Sequence, residues 1–134
     1  MNRAQATEYL RANHRGVLTT QKQNGRPQLS NIAYLYHTDG RVKVSLTADC
    51  AKTRNIQRDP RVSMLVLGEN WYEYLVIEGI GTILANNPLA ELRHVYEGIS
   101  GASHPNWEEF DEAMVRDQRV VLSIEIEKMY PLED

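Results

Sequence analysis

A proline that stops a helix two turns after it begins sets the terms for this chain. Pro60 lies in the stretch Thr47–Leu67, TADCAKTRNIQRDPRVSMLVL. Ahead of it, Val42 to Thr47 alternate apolar and polar residues, the period of a half-buried strand. Asp49 stands where a helix N-cap would stand. Ala51 to Arg58 have helical composition, and Pro60 cannot continue the helix and biases Asp59 away from helical geometry. Val62 to Leu67 is a continuous apolar run of strand length. The expected unit is strand, short helix, strand.

A helix of about two turns is too short to persist on propensity alone. Packing must hold it, most simply through Ile56. Its N-terminal end, with unpaired N–H groups, is then free to meet an anion. Lys52 sits in that first turn, where a cation opposes the helix dipole. A phosphate there would neutralise both. A solvated lysine on a short surface helix is the plainer alternative, and the residues alone leave both open.

The chain has the length of one domain, residues 1–134, with room for one core. No stretch approaches the roughly 18 apolar residues of a membrane helix, and no apolar secretory segment is visible near the N-terminus. A single cysteine rules out an internal disulfide framework and fits a reducing, cytoplasmic setting. The net charge of −3 hides an asymmetry: residues 1–61 carry 11 Lys and Arg against 4 Asp and Glu, residues 62–134 carry 4 against 14. A basic half fits a site for an anionic ligand, and opposite halves also fit a dimer. No recognition helix or aromatic-basic motif suggests nucleic acid.

In chain order, Asn2 to Asn13 reads as an amphipathic helix and Gly16 to Lys22 as a strand. Asn24-Gly25 signals a hairpin into a strand from Pro27 to Tyr36. Asp39-Gly40 turns into the strand ending at Thr47, with Val42, Val44 and Leu46 toward the core and Lys43, Ser45 and Thr47 facing away. Beyond Leu67, Trp71 to Leu84 reads as a long strand bent at Gly79 and Gly81. Helices follow from Pro88 to about Ile99 and from Trp107 to about Arg116, capped near Asn106. The last strand runs from Arg119 to Lys128. The expectation is an α+β chain, mainly β: six antiparallel strands that close or nearly close into a barrel, with short flanking helices.

Five segments, in order, carry a resemblance over nearly the whole chain. They are Gly16–Thr20, Gly25–Asn31, Ala51–Ile56 with Arg58–Val62, Glu78-Gly79, and Met114-Val115 with Arg119-Val120. Together they resemble the pyridoxamine 5′-phosphate oxidase-like superfamily, and more narrowly its branch using the deazaflavin coenzyme F420. The resemblance implies a split β-barrel and a homodimer with cofactor sites at the subunit interface.

It also implies roles for residues. Lys52 becomes the leading phosphate ligand, with Thr53 beside it. Ser45 and Thr47 can donate to phosphate oxygens from the preceding strand, or simply face solvent. Asn55, one turn after Lys52, can reach the same side or serve the helix C-terminus. Gln28, Ser30 and Asn31 come from a strand that faces the ring system in relatives, although Asn31 can equally satisfy backbone at a bulge. Trp71 and Arg119 are candidates to reach across a dimer interface. Arg26, Arg54, Arg58 and Arg61 are further cations for an anionic tail. Cys50, at a helix N-terminus, has a setting that lowers a thiol pKa, or is merely a small turn residue. His14, His37, His94 and His104 show no metal-ligand spacing.

The expected function is an F420-dependent oxidoreductase passing hydride between cofactor and a small molecule. The alternatives are FMN on the same fold, or a non-catalytic carrier or sensor of either cofactor. Pyridoxamine phosphate oxidase activity itself is disfavoured. That enzyme has a basic residue directly before the lysine, where this chain has Ala51, and no arginine cluster for a substrate phosphate precedes Asp134.

Overall fold

The computed structural model describes residues 1–133; Asp134, the end of the expected domain, lies outside them. Helix α1 (Arg3–Ala12) opens the chain under a capping box formed by Asn2 and Gln5. Strands β1 (Arg15–Gln21) and β2 (Pro27–Ala33) form the first hairpin. Its turn needs Gly25 at φ +84°, and the turn before β4 needs Gly40 at φ +81°, a region that L side chains rarely adopt. After β3 (Leu35–Tyr36) and β4 (Val42–Thr47) come α2 (Ala51–Arg58) and β5 (Arg61–Leu67). The expected strand–helix–strand unit is therefore present. Then follow β6 (Leu75–Leu84), α3 (Leu89–Ser100), α4 (Trp107–Arg116) and β7 (Arg119–Tyr130).

Among the described residues the strands form one antiparallel sheet in the order β2-β1-β5-β6-β7-β4-β3. The two edge strands, β2 and β3, are neighbours in the chain, separated only by Tyr34. The sheet therefore curls until its edges meet along one segment, which makes it a split barrel. The sequence suggested six strands, and the structure has seven. The strand read as continuous from Pro27 to Tyr36 breaks at Tyr34, whose side chain turns fully into the core. Tyr34 gives its N–H to the His14 carbonyl at 2.8 Å and its hydroxyl to the Leu10 carbonyl at 2.7 Å. Before this residue the chain pairs with β1, and after it with β4.

The barrel interior holds the main core, with Leu18, Val44, Leu46, Met64, Ile77 and Leu122 fully or almost fully buried. Ile56 plugs α2 into this core at 2% exposure. Burying an isoleucine contributes about 1.5–3 kcal/mol, enough to hold a helix that propensity would not. The bend expected in β6 is a register shift between Glu78 and Gly79, where a Cβ on Gly79 would collide with the Glu125 carbonyl.

Several boundaries differ from the sequence-based expectation, and β7 runs on to Tyr130 rather than ending at Lys128. β6 begins at Leu75 rather than Trp71, because the Asn70 side chain accepts the Tyr72 N–H and folds Trp71–Tyr74 into a turn. Cys50 rather than Asp49 is the N-cap of α2. The largest difference concerns the face of β4 expected to point away from the core. Lys43 is buried there, and across the β4–β7 register Val121 is fully buried with Leu92 of α3 and Phe110 of α4. Helices α3 and α4 roof this face. Arg93 and Asp111 bridge the two helices, and Tyr96, Trp107 and Phe110 pack edge to face between them.

Candidate functional site

Roof and sheet do not touch everywhere. Between them lies a cavity of about 620 Å³, the size range of small-molecule sites. Its floor comes from the ends of β4 and β7. Ser45 and Thr47, two residues apart, share one face of β4, and Thr47 pairs with Arg119 at the start of β7. Lys52 enters from the first turn of α2, and Asn31 stands at the rim on β2. The opposite wall is apolar: Leu92, Val95, Tyr96 and Ile99 from α3, with Phe110 and Met114 from α4. One wall thus offers two hydroxyls and two cations, and the other offers a surface for something flat and apolar.

The α2 N-terminus strengthens the polar wall. Cys50 makes no side-chain capping hydrogen bond, and no acidic residue lies in the first turn. The helix dipole and first-turn N–H groups are therefore offered to an outside anion. Thr53 is fully buried and donates its hydroxyl to the Thr47 carbonyl at 2.7 Å, tying the helix start to the strand that carries Ser45 and Thr47. Burial opposes ionisation of the Cys50 thiol. Hydrogen bonds with Thr53 and Thr47, and the nearby Lys52 charge, outweigh it and hold the thiol pKa below its ordinary value.

Of the ten residues proposed from sequence for cofactor binding, the cavity gathers Asn31, Ser45, Thr47, Lys52 and Arg119. Arg119 lies at the cavity of its own subunit. The other five occupy different settings. Thr53 faces the helix–strand junction. Asn55 is buried and gives its amide to Gln28 Oε1 at 2.8 Å and Thr20 Oγ1 at 3.1 Å, while its oxygen accepts from Arg58. Gln28 is thereby committed to α2. Ser30 shares the Gln28 face of β2 and keeps a buried hydroxyl without a partner among the described residues. Trp71 is 86% exposed in the β5–β6 turn, away from the cavity of its own subunit.

Sequence reasoning also missed residues. The apolar wall was passed over except for Met114, which entered only within a family motif, because the sequence placed α3 and α4 by their caps and bounds and not by what they cover. The cations split too: Arg58 donates to the Gln21 carbonyl, and Arg61 pairs with Asp59, holding that half-buried carboxyl down to about 2. A second feature was not apparent from spacing. His37 lies against Glu91 and His94 of α3, beyond the cavity.

The curled split barrel thus carries a cavity onto which a helix N-terminus, a lysine and two hydroxyls open beneath an apolar roof. The chain belongs to the pyridoxamine 5′-phosphate oxidase family, whose model matches residues 3–133. Solved structures agree on the fold. A conserved hypothetical protein from Mycobacterium tuberculosis superposes with a TM-score of 0.79 at 24% identity, over 96% of this chain and 82% of that one. A protein described as an F420 reductase gives 0.73 at 21% identity, over 92% and 94%. An FAD-binding protein from Mesorhizobium loti gives 0.73 at 20% identity, over 96% and 92%. No helix among the described residues is long and apolar enough to cross a membrane.

Proposed function

We propose that the chain is an F420-dependent oxidoreductase acting in the cytoplasm as a homodimer. The observation that carries this is the two-walled cavity, with Ser45, Thr47, Lys52 and Arg119 facing the apolar side of α3 and α4. The donor set fits the group. Lys52 and the α2 N-terminus suit a phosphate, with the Ser45 and Thr47 hydroxyls as further donors. The apolar wall suits a tricyclic ring and keeps water from it. When bound, such a cofactor supplies the hydride chemistry; the chain's residues bind, orient and shield it. No side chain is needed as a nucleophile.

FMN is the second reading, and a specific observation favours it. Two of the four arginines considered for an F420 tail, Arg58 and Arg61, already hold protein partners. Arg26 and Arg54 are exposed and remain to meet a longer anion. Pyridoxamine phosphate oxidase activity is not proposed, because Ala51 occupies the position before Lys52. Titration of the purified protein with F420 and with FMN, at low and high salt, tests the choice. F420 binding tighter at low salt, with a gap that narrows as salt rises, supports the proposal. Tighter FMN binding at both salts replaces F420 with FMN. Turnover of bound reduced cofactor with candidate acceptors separates an enzyme from a carrier.

A further inference from the structure

Outside the cavity, on another face of α3, two histidines and a glutamate converge. His37 follows β3 directly, and Glu91 and His94 lie one turn apart on α3. One ring nitrogen from each histidine and one carboxylate oxygen of Glu91 lie within 4.8 Å of one another. The two imidazoles stack with ring centroids 6.0 Å apart. We propose that His37, Glu91 and His94 bind a divalent transition-metal ion of the zinc type, and that the ion staples α3 to the β3 edge of the barrel. The proposal is independent of the cofactor reading.

The chemistry of the donors favours such an ion. Two imidazoles and one carboxylate are a zinc ligand set that leaves a fourth position for water. Zinc–ligand bonds of about 2.0–2.1 Å put the donors of a tetrahedral site about 3.3 Å apart. Closing the present separations takes small side-chain torsions, and the exposed His94 is free to make them. The backbone is already in place. Helix α3 lies so near β3 that a Cβ on Gly98 would collide with Leu35. Gly98 is one turn beyond His94 on the same helix face.

Two details point to a ligand rather than to a finished ion-pair cluster. Glu91 Oε2 is buried, yet it has no hydrogen-bond partner among the described residues. A buried carboxylate oxygen in that state is unusual. Its nearest cation, Lys43 Nζ, is 3.7 Å away and lies closer to Asp39, at 3.3 Å. Lys43 therefore keeps a carboxylate when Glu91 turns to a metal. Asp39 Oδ1 also lies 3.3 Å from His37 Nδ1. The Asp39 backbone N–H also points at that nitrogen, at 3.3 Å, so ligation through Nε2 selects the tautomer in which Nδ1–H donates to the Asp39 carboxylate.

The test titrates zinc chloride into metal-free full-length protein, with cobalt(II) as a spectroscopic probe. The expected result is one saturable equivalent, d–d absorption typical of a tetrahedral cobalt site, and a melting temperature raised by zinc. His94→Ala, at an exposed position, and Glu91→Gln, which keeps the side-chain shape, should each weaken zinc binding by about tenfold or more. Both should lose the zinc-dependent rise in melting temperature. Cys50→Ser should bind zinc like the wild type. No saturable binding by the wild type overturns the proposal. So does binding that both α3 variants retain, or binding that only Cys50→Ser removes.

Discussion

Asn55 of α2 donates its side-chain amide to Gln28 of β2 at 2.8 Å, across a 27-residue separation in the chain. The same amide reaches Thr20 on β1, so one side chain pins α2 to both strands of the first hairpin. A two-turn helix has few other means of holding its orientation. We predict that Asn55→Ala destabilises the fold by about 1–3 kcal/mol, the cost of leaving buried polar partners unsatisfied. Urea denaturation measures it. An unchanged midpoint would show that Ile56, Thr53 and Arg58 hold α2 without it.

Lys52→Ala should behave in the opposite way. Lys52 lines the cavity and makes no hydrogen bond or ion pair among the described residues, so stability should barely change. Binding of the phosphate-bearing cofactor should weaken by about 1.5–3 kcal/mol, the range for hydrogen bonds to charged groups. Fluorescence titration reads the affinity and a thermal melt reads the stability. Equal affinity in the variant would remove Lys52 from the phosphate site.

The contrast between these two residues shows what the sequence could convey. The place of Lys52 in a helix first turn was legible, and the structure has it there at the cavity, while the residues alone left open whether it meets an anion or solvent. Asn55, one turn on, could by spacing reach the same side or serve the helix C-terminus, yet its side chain points toward the hairpin. Only the tertiary placement of β1 and β2 decides that direction. The alternation of β4 was visible, and Ser45 and Thr47 were correctly placed on one face. What covers that face was not, because α3 and α4 are more than 40 residues further along the chain. The break at Tyr34 was hidden for a similar reason. A tyrosine in an alternating strand looks like any other β-former until its hydroxyl finds Leu10.

Tyr34 gives a pH prediction. Burial, with a smaller contribution from Tyr9, holds its phenol well above the ordinary value. The folded protein thus favours the neutral phenol, which donates to the last turn of α1. For a pKa raised on folding, the contribution is fully present below the unfolded value near 10 and is lost as pH rises through the folded value. Wild-type stability should therefore fall above about pH 10. Tyr34→Phe should lose roughly 0.5–1.5 kcal/mol at neutral pH and show a weaker alkaline decline. Denaturant midpoints measured from neutral to alkaline pH decide it. Parallel curves for both proteins would refute the assignment.

Cys50 offers a test of the proposed anion site without any turnover. Its thiol pKa is lowered despite burial, by hydrogen bonds with Thr53 and Thr47 and by the Lys52 charge. Thiolate absorbance against pH should give a midpoint below that of a free cysteine. Lys52→Ala should raise the midpoint, and saturating cofactor should also raise it, because a bound phosphate offsets the same positive charge. A midpoint indifferent to both would place the anion elsewhere.

Assembly is the remaining expectation. Trp71 and Tyr72 are 86% and 89% exposed in the β5–β6 turn, with Leu67 and Tyr74 exposed beside them. Single exposed apolar residues are ordinary, but a contiguous group of large aromatics marks a contact surface. Aromatic anchors of this kind often carry binding energies of about 2 kcal/mol or more each. We predict a dimer at micromolar concentration and a dimer dissociation constant raised at least about tenfold by Trp71→Ala with Tyr74→Ala. Both side chains are exposed within one subunit, so the variant should keep its fold and its far-ultraviolet circular dichroism. If Trp71 completes the cofactor site of a neighbouring subunit, the variant should bind cofactor more weakly at protein concentrations where it is monomeric. Raising the protein concentration should restore only the part of that affinity due to assembly. Sedimentation equilibrium run beside cofactor titration separates the two effects. A wild-type chain that sediments as a monomer and binds cofactor with full affinity would leave Trp71 no part in the site.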